Sequence, residues 1–180
     1  MPFMPSTFAT RLSAAGVLLA TLVLPAATAA QYRLPTVISS YKADSLHQAA
    51  QALVTAHRYR DAARLHRRSA ELRPAEDPLG YRCLSEAAAV VYAAGDRSAA
   101  RGDLALAADH ALARGDLRSA AMAYLDAAWI AQEQRNRLQV WELGHRAEML
   151  AESPLLGSSD RAAIMERIKR PTLAMRTVSP

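Results

Sequence analysis

His57-Arg58-Tyr59-Arg60-Asp61-Ala62-Ala63-Arg64-Leu65-His66-Arg67-Arg68-Ser69-Ala70-Glu71-Leu72-Arg73-Pro74 is the stretch whose reading decides the fold. Wound as a helix, it puts Ala62, Leu65, Ser69 and Leu72 on one side and Arg60, Arg64, Arg67 and Arg68 on the other. The apolar side is made largely of small residues and cannot be buried by one helix alone, so a neighbour must lie against it. Tyr59 opens the segment and Pro74 closes it, as expected for one rod of a stacked helical hairpin.

The same punctuation recurs outward in both directions. Breaks fall at His57-Arg58, Pro74 to Pro78, Gly95-Asp96, Gly115-Asp116, Gln134 to Arg137 and Ser153 to Gly157. Glycine in a left-handed cap, and proline just beyond a helix, are stop signals. Between the breaks the pattern predicts seven helices: Asp44 to Ala56, Tyr59 to Arg73, Leu79 to Ala94, Arg97 to Arg114, Leu117 to Glu133, Leu138 to Glu152 and Ser159 to Arg170. In the fifth, Ala120, Tyr124, Ala127 and Ala131 form the apolar stripe and Trp129 lies on a different face. Beyond the leader no stretch alternates with the period of two that a half-buried strand needs, so the fold class is all-α. Residues 31–42, with Pro35 and little periodicity, read as an extended linker, residues 43–170 as the helical domain and residues 171–180 as a disordered tail.

This pattern resembles the tetratricopeptide repeat (TPR), a helical hairpin of about 34 residues marked by small and aromatic residues at fixed offsets. Leu46, Ala49, Ala50, Leu53, Tyr59, Ala62 and Pro74 carry the resemblance in the unit Ala43 to Glu76, where His66 and Ser69 depart from it. Leu104, Ala107, Ala108, Ala111, Leu117, Ala120, Tyr124 and Ala127 carry it between Arg101 and Gln134. The turns at 57, 95 and 135 are further apart than the family's unit, and beyond Glu76 the fourth helix can lead a hairpin or follow one. The resemblance implies a right-handed α-solenoid of TPR-like antiparallel hairpins that binds a protein or peptide in the groove of its leading helices. It puts His47, Gln51, Val54 and Thr55 in that groove, then Arg82, Ser85 and Tyr92, and then Leu125, Trp129, Gln132 and Glu133. The family's lysine and asparagine clamp for a terminal carboxylate is not carried over, because His47 and Gln51 stand at the corresponding places.

The first 30 residues read as a targeting segment. Arg11 precedes an apolar run from Leu12 to Leu24, and Pro25 and Ala27-Thr28-Ala29-Ala30 follow, the order of an export signal cleaved after Ala29 or Ala30. The competing reading is an uncleaved anchor over residues 12–30, close to the roughly 20 residues that a span requires. Either places the helices outside the cytoplasm, periplasmic or secreted in the first case and membrane-anchored facing the periplasm in the second. Twenty-two basic residues, nearly all arginine, stand against 17 acidic ones, and with abundant alanine they suggest a GC-rich bacterial genome. The excess is mild and no nucleic-acid reading motif is present, so no nucleic-acid partner is expected. Cys83 is the single cysteine, which rules out an intramolecular disulfide, and it reads as a small buried apolar side chain.

Enzyme chemistry finds little support. No serine stands in a nucleophile elbow, the glycines of Gly95-Asp96 and Gly115-Asp116 read as turns, and Ser158, Ser159 and Asp160 read as a helix cap. His47, His57, His66, His110 and His145 show neither paired spacing nor a cysteine partner, and Glu142 with His145 lacks the second pair of a di-iron bundle. No metal, cofactor or catalytic residue is therefore expected. Trp129 and Trp141 read as core fillers or as interface anchors. Arg60, Arg64, Arg67 and Arg68 read as a solvated stripe partly neutralised by Asp61 and Glu71. The expectation is a non-enzymatic interaction module of the bacterial cell envelope, an accessory subunit of an envelope complex in its fullest form. The alternative is a membrane-tethered subunit whose arginine-rich helix meets lipid headgroups or an acidic subunit.

Overall fold

The computed structural model describes residues 24–176, and side-chain surroundings over residues 39–169. These residues form seven helices and no strand: α1 (Leu24–Thr55), α2 (Tyr59–Glu71), α3 (Pro78–Ala93), α4 (Arg97–Ala113), α5 (Leu117–Glu133), α6 (Arg137–Ala151) and α7 (Ser158–Arg176). The chain divides between Ile38 and Ser39 into two units, and the described part of the first is the helical start of α1. Two expectations fail here. Residues 31–42 are helical and not extended, and the helix of the C-terminal segment runs on to Arg176, so only residues 177–180 of the expected tail fall outside the description. Both segments lack clear apolar periodicity, yet Pro35 and Pro171 lie inside helices, at the expense of one backbone hydrogen bond each. Most of the leader lies outside the described residues, and among those described no helix is long and apolar enough to cross a membrane.

The second unit is built on one repeated turn. After α1, α3, α4 and α5 the chain enters the left-handed region, at His57 (φ 57°), Gly95 (φ 84°), Gly115 (φ 74°) and Arg135 (φ 55°). Each of these residues donates its N–H three residues back, and the next donates five residues back, as in Gly95 to Tyr92 and Asp96 to Val91, both at 2.9 Å. This is the Schellman closure, which satisfies the last carbonyls of a helix. At three of the four turns the following residue then caps the next helix: the N–H groups of Ala99, Ser119 and Gln139 donate to the side chains of Asp96, Asp116 and Asn136 at 3.0, 3.0 and 3.2 Å, whereas Arg58 makes no such cap. The α2–α3 connection is different. Pro78 stands in the first turn of α3, and the Leu79 N–H donates to Asp77 at 2.9 Å.

Such short turns fold successive helices back on one another, and alanine sets how closely they lie. Ala107, Ala108, Ala111, Ala120, Ala121, Ala127 and Ala131 are fully buried at the centre of the main cluster, and Ile164 of α7 closes its far end. A second cluster joins Ala62 and Ala63 of α2 to Val90 and Val91 of α3, Ala100 of α4 and Ile130 of α5. Gly80 brings α3 against α4, since a β-carbon there would lie 2.5 Å from the His110 ring. Polar contacts also skip one helix. Gln51 of α1 reaches Glu86 of α3, Tyr92 of α3 reaches Glu133 of α5, and Asp126 of α5 meets Arg167 of α7. On the other side Arg67 of α2 reaches Asp103 of α4.

Candidate functional site

The helix-skipping contacts gather many of the residues that the sequence assigns to a groove. Gln51 Nε2 donates to Glu86 Oε2 at 2.7 Å, and Arg82 Nε donates to Glu86 Oε1 at 2.8 Å. One helix pair along, the Tyr92 hydroxyl donates to both oxygens of Glu133 at 3.0 and 3.1 Å, and Arg97 Nε donates to Glu133 at 3.0 Å. The Tyr92 ring lies 6.1 Å from that of Trp129, which is 50% exposed. Burial and the Glu133 carboxylate together hold the Tyr92 phenol above its ordinary value, so it remains a donor. Thr55 bonds back to the Gln51 carbonyl at 3.2 Å, Ser85 and Gln132 are half-buried, and Val54 packs against the second apolar cluster. Leu125 does not belong to this face. It is 5% exposed within the main core, because it follows Tyr124 on the inward side of α5.

The basic stripe divides in two. Arg60, Arg64 and Arg68 are exposed, with Arg64 held by Asp61 at 2.5 Å and Arg68 by Glu71 at 2.7 Å. Arg67 is not a solvated member: its Nε and Nη2 grip both oxygens of Asp103 at 2.6 and 2.8 Å, and Asp103 is only 3% exposed. A buried carboxylate needs such a partner, which is why this arginine leaves the stripe. The two tryptophans are not core fillers either. Trp141 is 66% exposed and stacks on His145, with ring centroids 5.4 Å apart.

At one end of the odd-helix face lies an arrangement that sequence reasoning missed. The largest fully buried side chains among the described residues are Ile164, His66, Cys83 and Ser69, so three of the four are polar or contain sulfur. Cys83 Sγ lies 3.5 Å from His47 Nδ1 and 3.4 Å from Ser69 Oγ, and Ser69 donates to the Ala43 carbonyl at 2.7 Å. The His47 and His66 rings are 5.2 Å apart, and Glu86 Oε2 lies 3.6 Å from Nδ1 of each. Neither ring nitrogen of His66 has a hydrogen-bond partner, although the ring is fully buried. Such a group costs about 1–3 kcal/mol when left unsatisfied. Burial pushes His66 below its ordinary value, against the pull of Glu86, and so favours the neutral imidazole. Burial likewise pushes the Cys83 thiol up, opposed by Ser69 and Arg73.

His47, His66 and Cys83 could together hold a metal ion. The expectation that no histidine has a cysteine partner fails because the three residues come from α1, α2 and α3, and no local spacing records their meeting. One signal was available, since His66 and Ser69 are the two departures from the repeat pattern on the inward side of α2. Glu142 and His145, by contrast, stay on the surface of α6, where they pair with Arg146 at 2.8 Å and Glu148 at 3.8 Å. Compared with protein-family models, with curated proteins and with solved structures, the chain finds no match.

Proposed function

We propose that the helices from Ser39 onward stack as TPR-like hairpins into a right-handed α-solenoid, and that the protein is a non-enzymatic scaffold of the bacterial cell envelope. It holds a partner protein or peptide on the face shared by α1, α3 and α5. The helix-skipping contacts support the solenoid reading, because α1–α3–α5 on one side and α2–α4 on the other is the neighbour pattern of stacked hairpins. The observation that carries the binding reading is Trp129, half-exposed beside Tyr92, with Gln132 and Glu133 one turn further on. A large aromatic ring standing in water beside fixed hydrogen-bonding groups is the composition of an interface hot spot. The export-like leader supports the envelope assignment. The lipid-contacting alternative is weakened by pairing within the stripe, where Asp61, Glu71 and Asp103 already occupy three of the four arginines.

Photocrosslinking in the native host tests this reading. A photoreactive side chain at Gln132 or Arg82 captures one partner, the same group at Arg60 captures none, and Trp129→Ala weakens the complex by about 2 kcal/mol or more. Capture from Arg60 alone, or undiminished binding by the Trp129→Ala protein, would sink the assignment of the face. N-terminal sequencing of the endogenous protein separates export, which leaves Ala30 or Gln31 at the start, from a retained anchor.

A further inference from the structure

We propose that His47, His66 and Cys83, with Glu86 completing the set, bind one transition-metal ion of the zinc class. The inference is independent of the interaction role above. Two imidazoles, a thiol and a carboxylate are donors that suit zinc, whereas harder ions such as magnesium or calcium prefer oxygen alone.

The geometry is close to what such an ion needs. Zinc bonds of about 2.0–2.1 Å to nitrogen and about 2.3 Å to sulfur place tetrahedral donors roughly 3.3–3.6 Å apart. Cys83 Sγ and His47 Nδ1 are 3.5 Å apart, and Glu86 Oε2 is 3.6 Å from both His47 Nδ1 and His66 Nδ1. The donor atoms of the two histidines and the cysteine all lie within 4.8 Å of one another.

The surroundings are those of a held ion more than of ordinary core. His66 is fully buried with both ring nitrogens unpartnered, and ligation through one of them gives that nitrogen the partner it lacks. Gln51 and Arg82 hold Glu86, while Ser69 lies beside the sulfur, so two of the donors have supports of their own. Arg73 places a guanidinium near this cluster, and its buried Nε has no acceptor. The side chains of His47 and Glu86 are 20% and 25% exposed, which leaves an entry path on the side facing solvent. Binding replaces the S–H bond of Cys83 with a sulfur–metal bond and releases one proton to solvent. No electrons move.

The test is a titration of the reduced, chelator-stripped full chain with Co(II) as a spectroscopic stand-in for Zn(II). The expected result is one equivalent bound, with visible bands of tetrahedral cobalt and a near-ultraviolet thiolate-to-cobalt band, both abolished by Zn(II). Zn(II) raises the Tm of the wild-type protein and leaves that of Cys83→Ser unchanged. His47→Gln, at the exposed rim where the helices are least disturbed, weakens binding about tenfold or more. His57→Gln and His145→Gln bind as wild type does. A wild-type protein without the thiolate band, or a folded His47→Gln protein of unchanged affinity, would overturn the site. Retention of Cu(I) in preference to Zn(II) would overturn the zinc assignment.

Discussion

Two of the four left-handed turn positions are occupied by residues with a β-carbon, His57 and Arg135, while Gly95 and Gly115 fill the other two. A non-glycine residue in that region pays about 1–2 kcal/mol. Glycine avoids this but loses more chain entropy on folding. Arg135→Gly should therefore stabilise the protein by about 0.5–1 kcal/mol, read as a higher urea midpoint with an unchanged slope. Gly115→Ala should move the midpoint the other way by a similar amount, because nothing lies within 4 Å of the added carbon and backbone strain is the only cost. A lower midpoint for Arg135→Gly would show that its side chain contributes more than its conformation costs. At this scale the candidate cluster left only the departures of His66 and Ser69 from the repeat pattern as a trace. His66, Cys83 and Ser69 each look like isolated interior residues until α1, α2 and α3 bring them together.

Helix ends were the most legible elements, since their signals are local. The fifth helix runs from Leu117 to Glu133 as its glycine–aspartate and glutamine–arginine turns predict, and the fourth differs from expectation by one residue at its end. The segments around Pro35 and Pro171 misled, because neither carries the apolar periodicity by which a helix is read from sequence, yet both are helical. Asp116 shows how such a turn responds to acid. Burial alone would raise its carboxyl, but the Ser119 N–H and the Arg114 guanidinium outweigh burial and hold it below its ordinary value of 3.8. Its contribution is therefore complete above that pH and is lost as the pH falls through the lower folded value. Asp116→Ala should cost about 1 kcal/mol at neutral pH, and the gap from wild type should narrow in acid. Asp116→Asn should keep much of the cap and lose the pH dependence. Paired urea titrations at neutral and acidic pH check both, and a gap that stays constant would contradict the charge argument. The alanine contacts make a different demand. Ala108 is fully buried in the main core, so Ala108→Leu overfills it and should cost about 1–3 kcal/mol by thermal melting.

Over the whole second unit, helix number and class followed from turn spacing, but the exposure of the tryptophans did not. Two large rings in a chain whose described part contains no phenylalanine invite a core reading, yet the alanine-lined interior leaves them little room. Both should emit at long wavelength and be quenched freely by acrylamide. If Trp129 is the anchor of the proposed face, a bound partner should protect it, leaving the residual quenching to Trp141. Equal protection of both rings in single-tryptophan variants would argue against that division. The arginine stripe was half-legible for a related reason: three members obey the helical wheel, and Arg67 obeys Asp103 on the next helix but one.

Because Cys83 is the single sulfhydryl of the chain and is buried where α1, α2 and α3 meet, thiol-directed alkylating reagents, far bulkier than a bare ion passing the His47 and Glu86 rim, have one target and reach it only when that junction parts. The rate at which iodoacetamide adds under native conditions therefore reports how often this end of the molecule breathes, with no label introduced.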